Sequence, residues 1–142
     1  MSLNKDLTII FVSFYSKNII EKPISQIDRN IPIIVVENSQ DKNLKRYLES
    51  KYPNVKVEIP SKNTGNGGGA NIGLSKAKTK FVLYLDVDVE LSSRTIEILY
   101  NYANTLRDFS ILGPSIQGVD YKKNYFLQKD ILKNVHSMNF IT

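Results

Sequence analysis

Cysteine is absent from this 142-residue chain, and histidine occurs once, as His136. The first absence excludes a disulfide scaffold and a thiolate metal site, and it suits a reducing cytoplasm. Long apolar runs are missing too: none approaches the roughly 18 residues needed to span a bilayer. The N-terminus lacks the charged-then-apolar pattern of a secretion signal. Met1, Ser2 and Leu3 read as residues added for expression, which leaves one domain over 4–142. Clusters of basic residues are also lacking. Lysine and arginine outnumber the acids 19 to 14, for a net charge of +5, but the densest pairs are Lys45-Arg46 and Lys122-Lys123. Without a basic arm interleaved with aromatics, nucleic acid is not an expected partner. The scattered surplus favours small polyanions such as a nucleoside diphosphate, and it allows peripheral association with an anionic membrane face.

What is present reads as an ordinary folded domain, since 42% of residues are hydrophobic and 23% charged. The first apolar run, Leu7 to Phe14, is continuous, as in a strand covered on both faces of a parallel sheet. Ile33 to Val36 is a second such run. Val55 to Ile59 alternates between two prolines and belongs nearer a sheet edge. Phe81 to Leu85, five apolar residues read as a buried strand, runs directly into Asp86, and a fifth strand is expected at Phe109 to Leu112. Helical patterns fill the gaps. Leu44, Tyr47 and Leu48 share a face after a cap at Ser39 or Asp41. Ala70, Gly73, Leu74 and Ala77 share another, and Ile96, Leu99, Tyr100 and Ala103 a third, after Ser92 or Ser93. A weaker pattern fits a helix between Asn18 and Ile27. Alternation of strand and helix predicts an α/β fold, a Rossmann-like and mostly parallel sheet with helices on both faces. Ligands of such sheets bind beyond the carboxyl ends of the strands. Three strands end there in polar residues: Ser13 to Tyr15, Glu37 to Ser39, and Asp86 to Asp88.

Two stretches carry chemistry. Lys62 to Gly73 holds five of the seven glycines. Placed before a helix, such glycines let backbone N–H groups approach an anion; the plain alternative is a flexible turn. Gly65, Gly67 and Ala70 also fit Gly-x-Gly-x-x-Ala, which makes an NAD(P)-dependent dehydrogenase a rival reading. Against it, the glycines follow Pro60 to Thr64 and a whole strand-helix-strand unit, not the opening strand. Asp86-Val87-Asp88 closes the fourth strand. If a turn converges the two carboxylates, they repel by about 4 kcal/mol at about 4 Å and call for a cation. Hard oxygen donors with no histidine or cysteine beside them favour Mg2+ or Mn2+, completed by phosphate and water.

Taken in order, Ser13-Phe14-Tyr15-Ser16, Val35-Val36-Glu37-Asn38-Ser39, Asn63-x-Gly65 with Asn71-x-Gly73, Leu85-Asp86-Val87-Asp88-Val89 and Ile111-Leu112-Gly113-Pro114 resemble the motifs of family 2 glycosyltransferases. Their catalytic fold is called GT-A, and the likeness is greatest to the rhamnosyltransferase-like branch that builds bacterial surface polysaccharides. It implies that Ser13, Phe14 and Tyr15 line the base and ribose of a bound nucleotide. Glu37, standing where the family usually has aspartate, and Asn38 form the second-strand motif. Asn63, Gly65 and Asn71 lie beneath the nucleotide. Asp88 holds the metal, and Asp86 meets ribose and metal. The implied reaction is metal-dependent, inverting transfer of a sugar from a nucleoside-diphosphate sugar, foremost a UDP- or dTDP-sugar, to a saccharide or lipid-linked acceptor. The implied setting is cytoplasmic, at the inner face of the membrane. Family members carry their catalytic base and most of the acceptor site beyond the stretch matched by Val135 to Thr142, and none of Asp108, Asp120 or Asp130 matches the base. The chain is therefore expected to bind donor and to transfer poorly unaided, with a catalytically inactive nucleotide- or partner-binding module as the alternative. Uncovered apolar residues at Tyr125 to Leu127 and Met138 to Ile141 lead to an expectation of homo-oligomers or of a poorly ordered tail.

Overall fold

The computed structural model of the protein describes residues 3–89, 91–106 and 109–113. Asp108, Gly118, Asp120, Asp130, His136 and the two apolar tail segments lie outside the described residues. By its contacts the chain divides into two compact units, Met1–Glu97 and Ile98–Thr142.

The first unit opens with a single helical turn, α1 (Leu3–Asp6), and then alternates β1 (Leu7–Ser13), α2 (Glu21–Gln26), β2 (Ile33–Glu37), α3 (Lys42–Lys51), β3 (Val55–Glu58), α4 (Gly65–Lys76) and β4 (Phe81–Leu85). Helix α5 (Ser93–Thr105) begins in this unit and carries the chain into the second. The four strands form one parallel sheet in the order β3-β2-β1-β4. Continuous apolar runs therefore became strands, as expected, and the alternating run became the edge strand β3.

Side chains of successive strand residues point to opposite faces, and both faces are covered. Ile9 and Phe11 of β1 join Ile24 of α2, Leu44 and Leu48 of α3, and Ile96 of α5 in one cluster. Ile10 joins Ile34 and Val36 in a second, against which Ile72 of α4 packs. Asp41 caps α3, its carboxylate accepting from the N–H groups of Asn43 at 2.8 Å and Leu44 at 3.0 Å. At the start of α5 the Ser92 hydroxyl accepts from Thr95 N–H. In the second unit Leu99 and Ala103 of α5 are buried and Tyr100 is half-buried, in keeping with the expected stripe.

Three expectations need correction. The glycines of 65–69 are neither a loop nor a flexible turn but the first turns of α4 itself. The buried face of that helix is Gly69 and Gly73, not Ala70, Gly73 and Leu74, and Leu74 is exposed. The reason is close packing on β1: a Cβ at Gly69 would lie 2.7 Å from Val12 Cγ1, and one at Gly73 2.6 Å from Ile10 Cγ2. Second, β4 is not fully buried. It has a sheet neighbour on one side only among the described residues, Phe81 to Leu83 are half-buried, and Tyr84 is exposed. Third, Phe109 to Leu112 form no strand. An apolar run is not by itself enough to make one.

Helices α2 and α3 are tied at the surface through Glu21. Its carboxylate accepts from Tyr47 Oη at 2.8 Å, from Tyr52 Oη at 3.0 Å and from Lys51 Nζ. The Lys51 bond, and then that from Tyr47, hold the Glu21 carboxyl below its ordinary 4.5.

Two predictions test this architecture. Gly73→Ala should lower unfolding free energy by about 1–3 kcal/mol, because its methyl group has no space beside Ile10. Gly67→Ala meets nothing within 4 Å and should instead gain about 0.5–1 kcal/mol of helix propensity. Urea denaturation of the two variants should therefore give shifts of opposite sign. Because the folded-state pKa of Glu21 is depressed, its stabilisation is present above the unfolded value near 4.5 and is lost as pH falls through the lower folded one. Wild type and Glu21→Gln should accordingly differ in melting temperature at neutral pH and converge in acid.

Candidate active site

All four strands are parallel, so their carboxyl ends share one edge of the sheet. Those of β1 and β2 are level there, with Ser13 opposite Glu37, and β4 ends two residues earlier, with Leu85 opposite Phe11. The chain builds β1, β2 and β3 in one direction and then returns to the other side of β1 for β4. The point of reversal lies between β1 and β4, and in open α/β sheets the crevice at that point is where ligands sit. Tyr15 and Asp86 flank it from their two strands.

The polar residues at this edge fall into two groups. Ser13, Glu37 and Asn38 are buried, and each is satisfied by the protein itself. Glu37 is 0% exposed. Its Oε2 accepts from Ser13 Oγ at 2.5 Å, and its Oε1 from Ser39 N–H at 2.7 Å and from the Ser39 hydroxyl. Both oxygens are therefore engaged, Oε2 in joining the ends of β1 and β2 and Oε1 in closing the turn that follows β2. Asn38 reaches the other way. Its Nδ2 donates to Gly65 O at 3.0 Å, and its Oδ1 accepts from Thr64 N–H at 3.2 Å and Thr64 Oγ1 at 3.1 Å. That fixes where α4 begins. Asn63 completes the turn, with its Oδ1 accepting from Gly65 N–H at 2.8 Å. Gly65 takes a φ of +70°, a left-handed conformation that a side chain would strain.

The second group is open to solvent. Phe14 and Tyr15 are 51% and 78% exposed and stack edge to face, with ring centroids 4.5 Å apart. Tyr15 holds a φ of +52°, and Gln40, three residues after β2, one of +63°. Non-glycine residues in this region cost about 1 kcal/mol or more and gather at functional sites. A concavity of about 420 Å³ lies here, lined by Tyr15, Ser16, Lys17, Ser39, Asp41 and Leu44. It flanks the β1–β2 side and is not lined by Asp86 or Asp88. The strand reversal and the exposed carboxylates are the stronger guide to the polar centre, because concavity alone carries no chemistry.

Asp86 and Asp88 are exposed on a turn closed by Val89 N–H donating to Asp86 O at 3.1 Å. Among the described residues no three acids, histidines or cysteines gather as a metal-ligand cluster. Two carboxylates with open coordination beyond them suit a hard cation that takes its remaining ligands from phosphate and water. Asp86 Oδ1 also lies 3.2 Å from Tyr84 Oη, which bonds Asn66 Oδ1 at 2.6 Å. Partial burial, then the Asp86 carboxylate, raises the Tyr84 phenol above its ordinary 10.0. In the sequence Tyr84 blends into an apolar run, and the one signal that points to it is strand alternation, which places residue i on the same side as i+2, here Tyr84 beside Asp86. Nothing in the sequence pattern singles out Asn66.

Asn71 is not brought to this edge. It is exposed, about 9 Å along α4 from the helix start, and two positions from both Gly69 and Gly73 it faces away from β1. Nor do the glycines follow the opening strand, as a dinucleotide fingerprint requires: Phe14 to Lys17 occupy that turn, and the glycines come after edge strand β3.

Among the described residues no helix is long and apolar enough to cross a membrane. No curated protein sequence matches the chain. Among solved structures, S. aureus TarS residues 1–349 superposes with a TM-score of 0.60 at 21% identity, covering 70% of this chain and 32% of that one. The same fragment in complex with UDP gives the same values. GalNAc-T7 with UDP, GalNAc and Mn2+ follows, with a TM-score of 0.50 at 20% identity over 61% of this chain and 19% of that one. The chain thus spans about a third of the TarS fragment's length. At such identities the likeness is one of fold, and the fold is the α/β arrangement of GT-A glycosyltransferases. The glycosyl transferase family 2 model matches residues 15–140, and on that match this chain belongs to glycosyl transferase family 2.

Proposed function

We propose that this chain binds the nucleoside-diphosphate sugar donor of a metal-dependent, inverting glycosyl transfer to a saccharide or lipid-linked acceptor. The observation that carries the reading is that exposed aromatic and acidic groups follow the two neighbouring strands between which the strand order reverses: Phe14 and Tyr15 after β1, Asp86 and Asp88 after β4. A nucleotide needs both kinds of surface. Its base is planar and stacks on aromatic rings, and its diphosphate requires charge neutralisation. UDP accompanies two of the similar structures, and Mn2+ one of them, which supports the same class of ligand here.

In this reading the exposed residues meet the donor and the buried ones hold the frame. Phe14 and Tyr15 take the base and ribose. Asp88, with Asp86, would hold Mg2+ or Mn2+, and its positive charge would stabilise the departing diphosphate. Glu37 and Asn38 act on the donor through the backbone they fix, since their polar atoms already have protein partners. A UDP- or dTDP-sugar is the favoured donor. Inversion follows from a single displacement, in which an acceptor hydroxyl loses its proton to a carboxylate base as its oxygen attacks the anomeric carbon and the nucleoside diphosphate leaves.

Calorimetry separates this reading from its rivals. UDP should bind more tightly with Mn2+ than without it, and NAD should bind weakly or not at all. Losing an outer partner of a metal ligand typically costs about 10- to 100-fold in metal affinity, so Asp88→Ala should weaken Mn2+-dependent UDP binding by at least about tenfold. UDP affinity indifferent to metal and to that substitution would favour the catalytically inactive nucleotide-binding module. NAD binding tighter than UDP would favour the dehydrogenase.

A further inference from the structure

Tyr84 stands at the junction of two parts of the site that are remote in sequence. Its hydroxyl lies 2.6 Å from Oδ1 of Asn66, the second residue of α4, and 3.2 Å from Oδ1 of Asp86. A phenol carries one proton, so it can donate to only one of these acceptors at a time. The two differ in kind. Asp86 presents a charged carboxylate, intrinsically the stronger acceptor, and Asn66 a neutral amide oxygen at the shorter distance. Which of them receives the proton depends on how much negative charge Asp86 retains. The start of α4 is otherwise held from the opposite side, by Asn38 on Thr64 and Gly65.

We infer that Tyr84 is a positioning residue for Asp86, its single hydroxyl proton divided between Asp86 and Asn66, so that capture of a divalent cation at Asp86 is coupled to the first turn of α4. The inference rests on the reading of Asp86 as a cation-binding carboxylate. With a divalent cation on Asp86, the Tyr84 proton would stay with Asn66, in the 2.6 Å bond already present, and that bond ties the start of α4 to the end of β4. The linkage is reciprocal: a Tyr84–Asn66 bond leaves Asp86 free for the cation. Without the Asn66 acceptor, the proton has only Asp86 left and competes with the cation for it.

The test is a double-substitution cycle on the 142-residue chain, with Mn2+ affinity in the presence of UDP read from the electron paramagnetic resonance of free manganese. Circular dichroism checks that each variant is folded. Asn66→Ala alone should weaken Mn2+ binding by about three- to tenfold, the range of one hydrogen bond. In the Tyr84→Phe background the same substitution should have no effect, because no hydroxyl proton is left to redirect. A purely structural role for Asn66 predicts the same loss in both backgrounds, and that additivity would overturn the inference while leaving the donor-binding reading intact. If wild type fails to bind Mn2+ with UDP under these conditions, the inference and the cation reading fall together.

Discussion

The geometry of this edge depends on how closely helix α4 approaches strand β1. Gly69 and Gly73 lie one helical turn apart and leave no room for even a methyl group against Val12 and Ile10. Close approach costs helix propensity, because glycine is about 1 kcal/mol poorer than alanine in a helix interior. What it gives is position. An α4 displaced outward by the width of a side chain would carry Thr64 and Gly65 away from Asn38, and Asn66 away from Tyr84. Both hydrogen-bonded anchors of the helix start thus rest on two missing side chains.

Much of the sheet was legible because burial on both faces leaves a simple trace, an uninterrupted apolar run, as in Leu7 to Val12 and Ile33 to Val36. Alternation at Val55 to Glu58 likewise betrayed an edge. The glycine stretch misled for a physical reason. The same residue serves a left-handed turn at Gly65 and close helix packing at Gly73, and composition does not distinguish the two uses. The run at Phe109 to Leu112 is apolar enough for a strand, but strand formation is decided by a partner and not by the run itself. At the site, residue types were readable and exposure was not. Ser13, Glu37 and Asn38 look like ligand-reading groups in a linear sequence, yet the fold has already used their hydrogen-bonding capacity.

The strand order β3-β2-β1-β4 is also that of the first four strands of a dinucleotide-binding sheet, so topology alone does not separate a sugar-nucleotide site from a nicotinamide one. The separation comes from what occupies each turn. A pyrophosphate held by backbone N–H groups after β1 would need glycine there, and this chain places an exposed aromatic pair instead. In the proposed reading, charge neutralisation comes instead from a cation held between the phosphates and the carboxylates after β4.

The proposed division of labour also fits the exposure of the acids and the burial of Ser13, Glu37 and Asn38. Burying two carboxylates without a permanent counter-ion costs several kcal/mol each, so a site that binds its cation together with its substrate keeps them in water until the ligand arrives. A buried carboxylate is tolerable only where donors meet it from both sides, as they do at Glu37 between Ser13 and Ser39. The contrast between Glu37 and Asp86 is therefore one of electrostatics before it is one of function. The acid with complete protein partners can serve as a strut, and the acid with incomplete ones remains able to take a ligand.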